Sequence, residues 1–158
     1  RGRAVNGLGE RSGNVALEEV VVALKVAYGS DAGVDCTKLA ALSEQVARAS
    51  GRAVPAQKPV VGAAAFLHES GIHCSGLLRD ERTYEAYSPA TVGRERPPFV
   101  LGGHTGGAAV RAALAAQGVV VPAETARRLA ARVRELALRE GRVLSPGELK
   151  ALLNESAA

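Results

Sequence analysis

Apolar residues recur at helical spacing through most of this chain, separated by breaks that carry glycine or proline. Ala4-Val5-Asn6 reads as a short extended piece, and a glycine-rich turn follows from Gly7 to Gly13. A helix is predicted from about Val15 to Tyr28, with Asn14 as its N-cap, Glu18 and Glu19 near its positive end, and Gly29 as its stop. Only Glu18, Glu19 and Lys25 are polar along it, so the polar stripe is narrow and most of the circumference requires cover. A second helix spans about Thr37 to Ser50, capped by Asp35 and ended by Gly51, with Leu39, Leu42, Val46 and Ala49 as its apolar face. Arg52 to Pro59 is a connector, and a mostly helical segment follows from Gly62 to Arg79, broken at Ser70-Gly71. A short turn begins at Ser88-Pro89, and Phe99-Val100-Leu101 is a short extended piece. Gly106 to Gln117 is an alanine-rich helix. Glu124 to Glu140 places Leu129, Val133 and Leu136 on one face, with Glu124/Arg128 and Glu135/Arg139 spaced as ion pairs. Ser145-Pro146-Gly147-Glu148 reads as a capping box with Pro at the first helical position, opening a last helix to about Asn154. The fold class that follows is mainly α.

Composition narrows the function. With 158 residues, 47% apolar and 23% charged, the chain is globular and large enough for a real core. The net charge of +4 is mild, and the arginines of the helix after Glu124 are interleaved with acids, which reads as a solvated face. Aromatic residues make up 3%, too few to build the stacking platforms of a nucleic-acid surface. No apolar run approaches the roughly 20 residues of a membrane span. Cys36 and Cys74 cannot by themselves make a disulfide framework or a zinc site. These features predict a soluble, cytoplasmic domain with neither a nucleic-acid nor a membrane partner. The chain contains no Met, and Arg1-Gly2-Arg3 is unlike a signal peptide, so a piece of a longer polypeptide or a processed product is expected.

Three places invite chemistry. In His68-Glu69-Ser70-Gly71-Ile72-His73 the two histidines are five apart, about 140° out of register on a helix, which excludes the zinc-protease arrangement of histidines four apart. Spacing alone favours a structural role over a catalytic one for this pair. Gly7 to Gly13 misses the dinucleotide fingerprint, because its third glycine arrives one residue late. It reads equally as an anion or metal-ligand turn and as a tight turn between packed elements. Cys74 has no identifiable activating acid or oxyanion loop, and reads as a small packing residue.

Taken in order, these segments resemble the metal-dependent acyl-CoA condensing barrels, the group of isopropylmalate, citramalate and homocitrate synthases. Val5-Asn6-Gly7-Leu8-Gly9-Glu10-Arg11-Ser12-Gly13-Asn14 and Ala16-Leu17-Glu18-Glu19-Val20 are similar to the eighth strand, loop and helix of that barrel. His68 to His73, Gly76-Leu77-Leu78-Arg79-Asp80 and Thr83-Tyr84-Glu85 resemble the segment that follows it. Ser50 to Pro55 and Gln57 to Gly62 are most similar to the homocitrate synthases of nitrogen-fixing bacteria. The resemblance runs to about residue 150. It implies the last β/α unit of a TIM barrel in residues 1–33, a helical linker subdomain in 34–104 and a C-terminal helical subdomain in 105–158. It further implies condensation of acetyl-CoA with a 2-oxo acid, 2-oxoglutarate in the homocitrate branch. His73 and Tyr84 match the catalytic residues, and Asn14 matches a residue at a divalent metal site (Mg, Mn or Zn). A homodimer is implied, with this tail reaching the other subunit's active site.

The departures matter as much. A whole barrel needs about 250 residues, and the acid of the first strand and the H-x-H pair of the seventh, the other metal ligands, have no counterpart here. This chain alone is therefore expected to be inactive. Where the family reads L-G-K-H-S-G-R, the chain has Leu101-Gly102-Gly103-His104-Thr105-Gly106-Gly107, with glycine in place of two cations. The reading from another class is a non-catalytic helical partner subunit or regulatory module.

Overall fold

The computed structural model describes residues 2–156. The chain forms two compact units, one running up to Phe66 and joined by Ala86–Arg96, the other made of Leu67–Glu85 and the chain from Pro97 onward. The described residues are mainly helical, as their spacing predicts. None of their helices is long and apolar enough to cross a membrane.

In the first unit, β1 (Arg3–Ala4) pairs in parallel with β2 (Val15–Ala16). Between them a 3-10 turn, Val5–Gly7, holds Asn6 at φ 60°, and the loop is closed by Asn14 N–H donating to Gly7 O at 2.9 Å. Here the predicted cap is corrected. Asn14 also donates its Nδ2 to Leu8 O at 2.9 Å, so its polar groups seal the loop. Helix α1 (Leu17–Tyr28) starts later, with Ala16 at the cap position and no side-chain cap. Helix α2 (Leu39–Ser50) is entered through the turn Cys36–Lys38, where the Asp35 carboxylate accepts from Thr37 N–H at 3.0 Å. Both helices end on left-handed glycines, Gly29 and Gly51, as expected. Val21, Val22, Cys36, Leu39, Val60, Phe66 and Val92 form the core of this unit.

Two amphipathic expectations are reversed in the same unit. Glu18 is not on a solvent stripe: it is 1% exposed. Its Oε2 accepts from Asn6 N–H at 3.1 Å, and Lys58 Nζ lies 3.2 Å from its Oε1 and 2.6 Å from Glu19 Oε1. The solvent side of α1 carries Lys25, as expected, together with Val26 and Tyr28, 38% and 77% exposed. On α2, Ala49 is exposed and Ser43 is buried, because Ser43 hydroxyl and carbonyl bind the Asn6 amide. The predicted helix from Gly62 does not form before Gly71. The backbone there is bonded outside a helical ladder: Ala64 N–H donates to Ala56 O at 2.8 Å, and Arg94 donates its Nη1 to Gly62 O at 2.6 Å and its Nη2 to Ala63 O.

The second unit holds α3 (Gly71–Arg79), α4 (Gly107–Ala115), α5 (Ala123–Glu140) and α6 (Pro146–Glu155). Leu101, Val110, Leu114, Leu129, Val133, Leu144 and Leu149 lie at the centre of its core. The starts of α3 and α4 meet backbone to backbone, since a Cβ on Gly106 would come within 2.6 Å of Gly71 Cα. The capping box of α6 is present in both directions. On α5 the ion pairs differ from those expected: Glu124 pairs with Arg127 at 3.3 Å, Arg128 reaches Thr125, and Arg139 lies 3.6 Å from Glu140. Residues three and four apart are both neighbours on a helix surface, so an exposed carboxylate has a choice that spacing does not decide.

Candidate functional site

The site is built around α3. Chain reversal after this helix depends on Asp80, whose carboxylate accepts from Arg82 N–H at 3.0 Å and opens the turn Glu81–Thr83. Arg82 holds that carboxyl below the ordinary range. The turn returns Tyr84 to the helix. Its ring centroid lies 4.3 Å from that of His73, tilted by 45°. The space it occupies is left open by Gly76, one turn beyond His73, where a Cβ would meet Tyr84 Cε2 at 2.5 Å. Among the described residues, neither the His73 ring nitrogens nor the Tyr84 hydroxyl makes a hydrogen bond to the protein, and both side chains are exposed. An imidazole beside a phenol, with their polar atoms uncommitted, can pass a proton to or from a bound molecule.

Next to this pair, His68 Nε2 is 3.2 Å from Glu85 Oε1, with the two side chains 13% and 4% exposed. The His68 ring stands edge-on to His73 at 6.3 Å between centroids. Glu69 lies in the Leu101–Gly107 loop, accepting from His104 N–H at 2.7 Å, and Gly102 has no room for a Cβ against its carboxylate. Thr105, fully buried, ties that loop by accepting from Gly102 N–H at 2.7 Å, and it bridges Ser70 just before α3. Cys74 is fully buried, and that burial pushes its thiol up to about 11, so the group is inert near neutral pH.

His73 and Tyr84 are thus brought together in one unit, whereas Asn14 belongs to the other. Asn14 is exposed, and its amide oxygen makes no hydrogen bond among the described residues. A neutral amide oxygen is an accepted ligand for a hard divalent cation, as one member of a larger set. No group of three or more His, Cys, Asp or Glu side chains that could hold a metal ion occurs among the described residues. The chain's own groups therefore fit such an ion as a partial ligand set only.

Spacing alone does not reveal the space at Gly76 that Tyr84 occupies or the contact between His68 and Glu85. The one legible signal was that Tyr84-Glu85 follows a histidine pair across a single helix and turn, a length that allows return.

Comparison with known proteins gives the class first. Residues 3–46 match the HMGL-like family model. Residues 60–141 match the model described as homocitrate synthase post-HMGL domain-like, and the chain belongs to that family. It is 46% identical over 154 residues to 2-isopropylmalate synthase 2 of Caldanaerobacter subterraneus subsp. tengcongensis, covering 98% of this chain and 40% of the relative. It is 44% identical over 151 residues to homocitrate synthase 1 of Nostoc sp., covering 96% and 40%. A Methanopyrus kandleri protein provisionally named (R)-citramalate synthase is 46% identical over 151 residues, covering 96% and 29%. The chain thus spans well under half the length of these relatives. Near-equal identity to three differently named synthases means that this region does not separate them.

Proposed function

We propose that this chain is the part of an acyl-CoA condensing synthase that supplies His73 and Tyr84 as a proton-transfer pair. The observation that carries the reading is their 4.3 Å ring contact on the open space of Gly76, with the polar atoms of both left uncommitted among the described residues. In such a reaction the methyl group of acetyl-CoA loses a proton and its carbon attacks the keto carbon of a 2-oxo acid. The new alkoxide takes up a proton, and water then cleaves the thioester to release CoA and the dicarboxylic or tricarboxylic product. Imidazole can carry the first proton near neutral pH, and a phenol can donate to the developing oxyanion. A divalent cation (Mg, Mn or Zn), when bound, supplies Lewis-acid polarisation of the keto carbonyl, and the amide oxygen of Asn14 would be one of its ligands. The working form is a homodimer in which this region serves the other subunit's site.

The favoured product is homocitrate, from 2-oxoglutarate, in the manner of the synthases of nitrogen-fixing bacteria. The stretch Ser50 to Gly62, which resembles those synthases, is what supports it; identity to the named relatives does not favour one product over another. An isopropylmalate or citramalate synthase has equal support from the other relatives. The glycines at 103 and 107 favour a second reading, a diverged non-catalytic partner subunit. The test is CoA release by the enzyme as it occurs in its source cells, with acetyl-CoA and, in turn, the 2-oxo acids that would give homocitrate, isopropylmalate and citramalate. His73→Ala is expected to lower turnover by about 10²–10⁴-fold. Undiminished turnover would overturn the assignment, and preference for another 2-oxo acid would select the alternative product.

A further inference from the structure

The proposed pair is exposed and its rings are held by contact alone, yet proton transfer demands geometry fixed to a fraction of an ångström. Something must hold it. Two consecutive residues, Tyr84 and Glu85, return from the turn after α3 to two histidines. Tyr84 meets His73, and Glu85 meets His68. The two contacts differ in character. Tyr84 is 40% exposed, whereas Glu85 and His68 are nearly enclosed and joined through Nε2 and Oε1 at 3.2 Å. His68 also stands edge-on to His73, so the enclosed pair touches the exposed pair through a ring as well as through the Tyr84–Glu85 peptide bond.

We infer that the 3.2 Å contact between Glu85 and His68 is a positioning element that keeps Tyr84 in register with His73. Its catalytic consequence rests on the function proposed above; its geometric consequence does not. The carboxylate oxygen accepts from the imidazole, which pins residue 85 and so limits where residue 84 can place its ring. The Tyr84 and Glu85 N–H groups also donate to Glu81 O at 3.2 and 3.1 Å, which sets the backbone of the turn, so the His68 contact adds a side-chain restraint that narrows where the exposed phenol sits over Gly76. Neither His68 nor Glu85 touches the reacting atoms in this scheme; both act through Tyr84 and His73.

The test is proton NMR of the isotope-labelled chain, reading the ring-current displacement that Tyr84 imposes on the His73 ring protons, with Tyr84→Leu defining zero. Glu85→Ala and His68→Ala are each expected to lose more than half of the displacement, while the methyl signals of Val110 and Leu129 stay in place. Glu85→Gln, which keeps an acceptor oxygen, is expected to retain it. In the active enzyme, Glu85→Ala should lower kcat by about ten-fold or more with KM nearly constant, the pattern of a misplaced reacting group. If Glu85→Ala does not fold, His68→Ala decides. An unchanged displacement in a folded alanine variant overturns the inference whatever activity does. A lost displacement with unchanged kcat supports the positioning role and overturns the catalytic reading of His73 and Tyr84.

Discussion

The ring of Tyr84 fills the space that a side chain at Gly76 would need: a Cβ there would lie 2.5 Å from Cε2 and 3.0 Å from Cδ2. Gly76 lies inside α3, where glycine costs about 1 kcal/mol relative to alanine. The helix thus bears a conformational cost at the one position that lets a phenol approach His73. Gly76→Ala is expected to leave thermal stability level or slightly raised, since Tyr84 can swing outward, while the His73–Tyr84 ring contact is lost. Calorimetry together with the His73 ring-proton shifts checks both halves.

Lys58 is the sole cation described against the buried Glu18. Lys58→Met leaves that carboxylate enclosed without its counterion and should destabilise the first unit by about 3 kcal/mol, with the double variant Glu18→Gln/Lys58→Met recovering most of the loss. Urea denaturation of the three proteins measures it. Burial alone would lower the Lys58 ammonium, but hydrogen bonds to Glu19 and Glu18 outweigh it and raise it above its ordinary 10.5. The stability it contributes is therefore complete below pH 10.5 and is lost as pH rises through the higher folded value. An alkaline stability profile should show that step in the native chain and lack it in Lys58→Met.

Gly93 ends a turn at φ 72°, and a Cβ there would run into the Thr37 carbonyl. Both the dihedral and the space exclude a side chain. Gly93→Ala should cost roughly 3 kcal/mol or more, seen as a lowered urea midpoint.

At the start of α6, Arg142 first, then Ser145, hold the Glu148 carboxyl down at about 2 from its ordinary 4.5. A depressed carboxylate stabilises the fold above the unfolded value and loses that contribution as pH falls through the folded one. The α6 cap should thus persist between pH 4.5 and about 2. Carboxyl-carbon NMR should place the Glu148 midpoint near 2, and Arg142→Ala should move it upward without reaching the ordinary value, because Ser145 still donates.

Where sequence reading succeeded, the deciding contacts were local. Asp35 caps the turn at Thr37, left-handed glycines end α1 and α2, and Ser145 with Glu148 closes a cap within four residues. Where it failed, a distant residue intervened. Glu18 turns inward where Lys58 arrives to meet it, Ser43 is buried where Asn6 binds it, and the run Ala63-Ala64-Ala65 is bonded to Ala56 and Arg94 instead of forming a helix. The candidate site shows the same division. The eleven-residue interval from His73 to Tyr84 was visible in the sequence through family resemblance, but the open space at Gly76 and the enclosed Glu85–His68 pair emerge only once the chain has turned back on itself.

Because Ala86–Arg96 belongs with the residues before Phe66, the polypeptide passes between its two units three times. That has a hereditary consequence. A crossover between two homologous genes anywhere from codon 67 to codon 85 would set Val21, Val22, Leu39, Val60 and Phe66 of one parent against Tyr87 and Val92 of the other. The first core cannot be inherited as one uninterrupted block, so recombinants in this stretch survive only where both parents already agree on the shape of that interior.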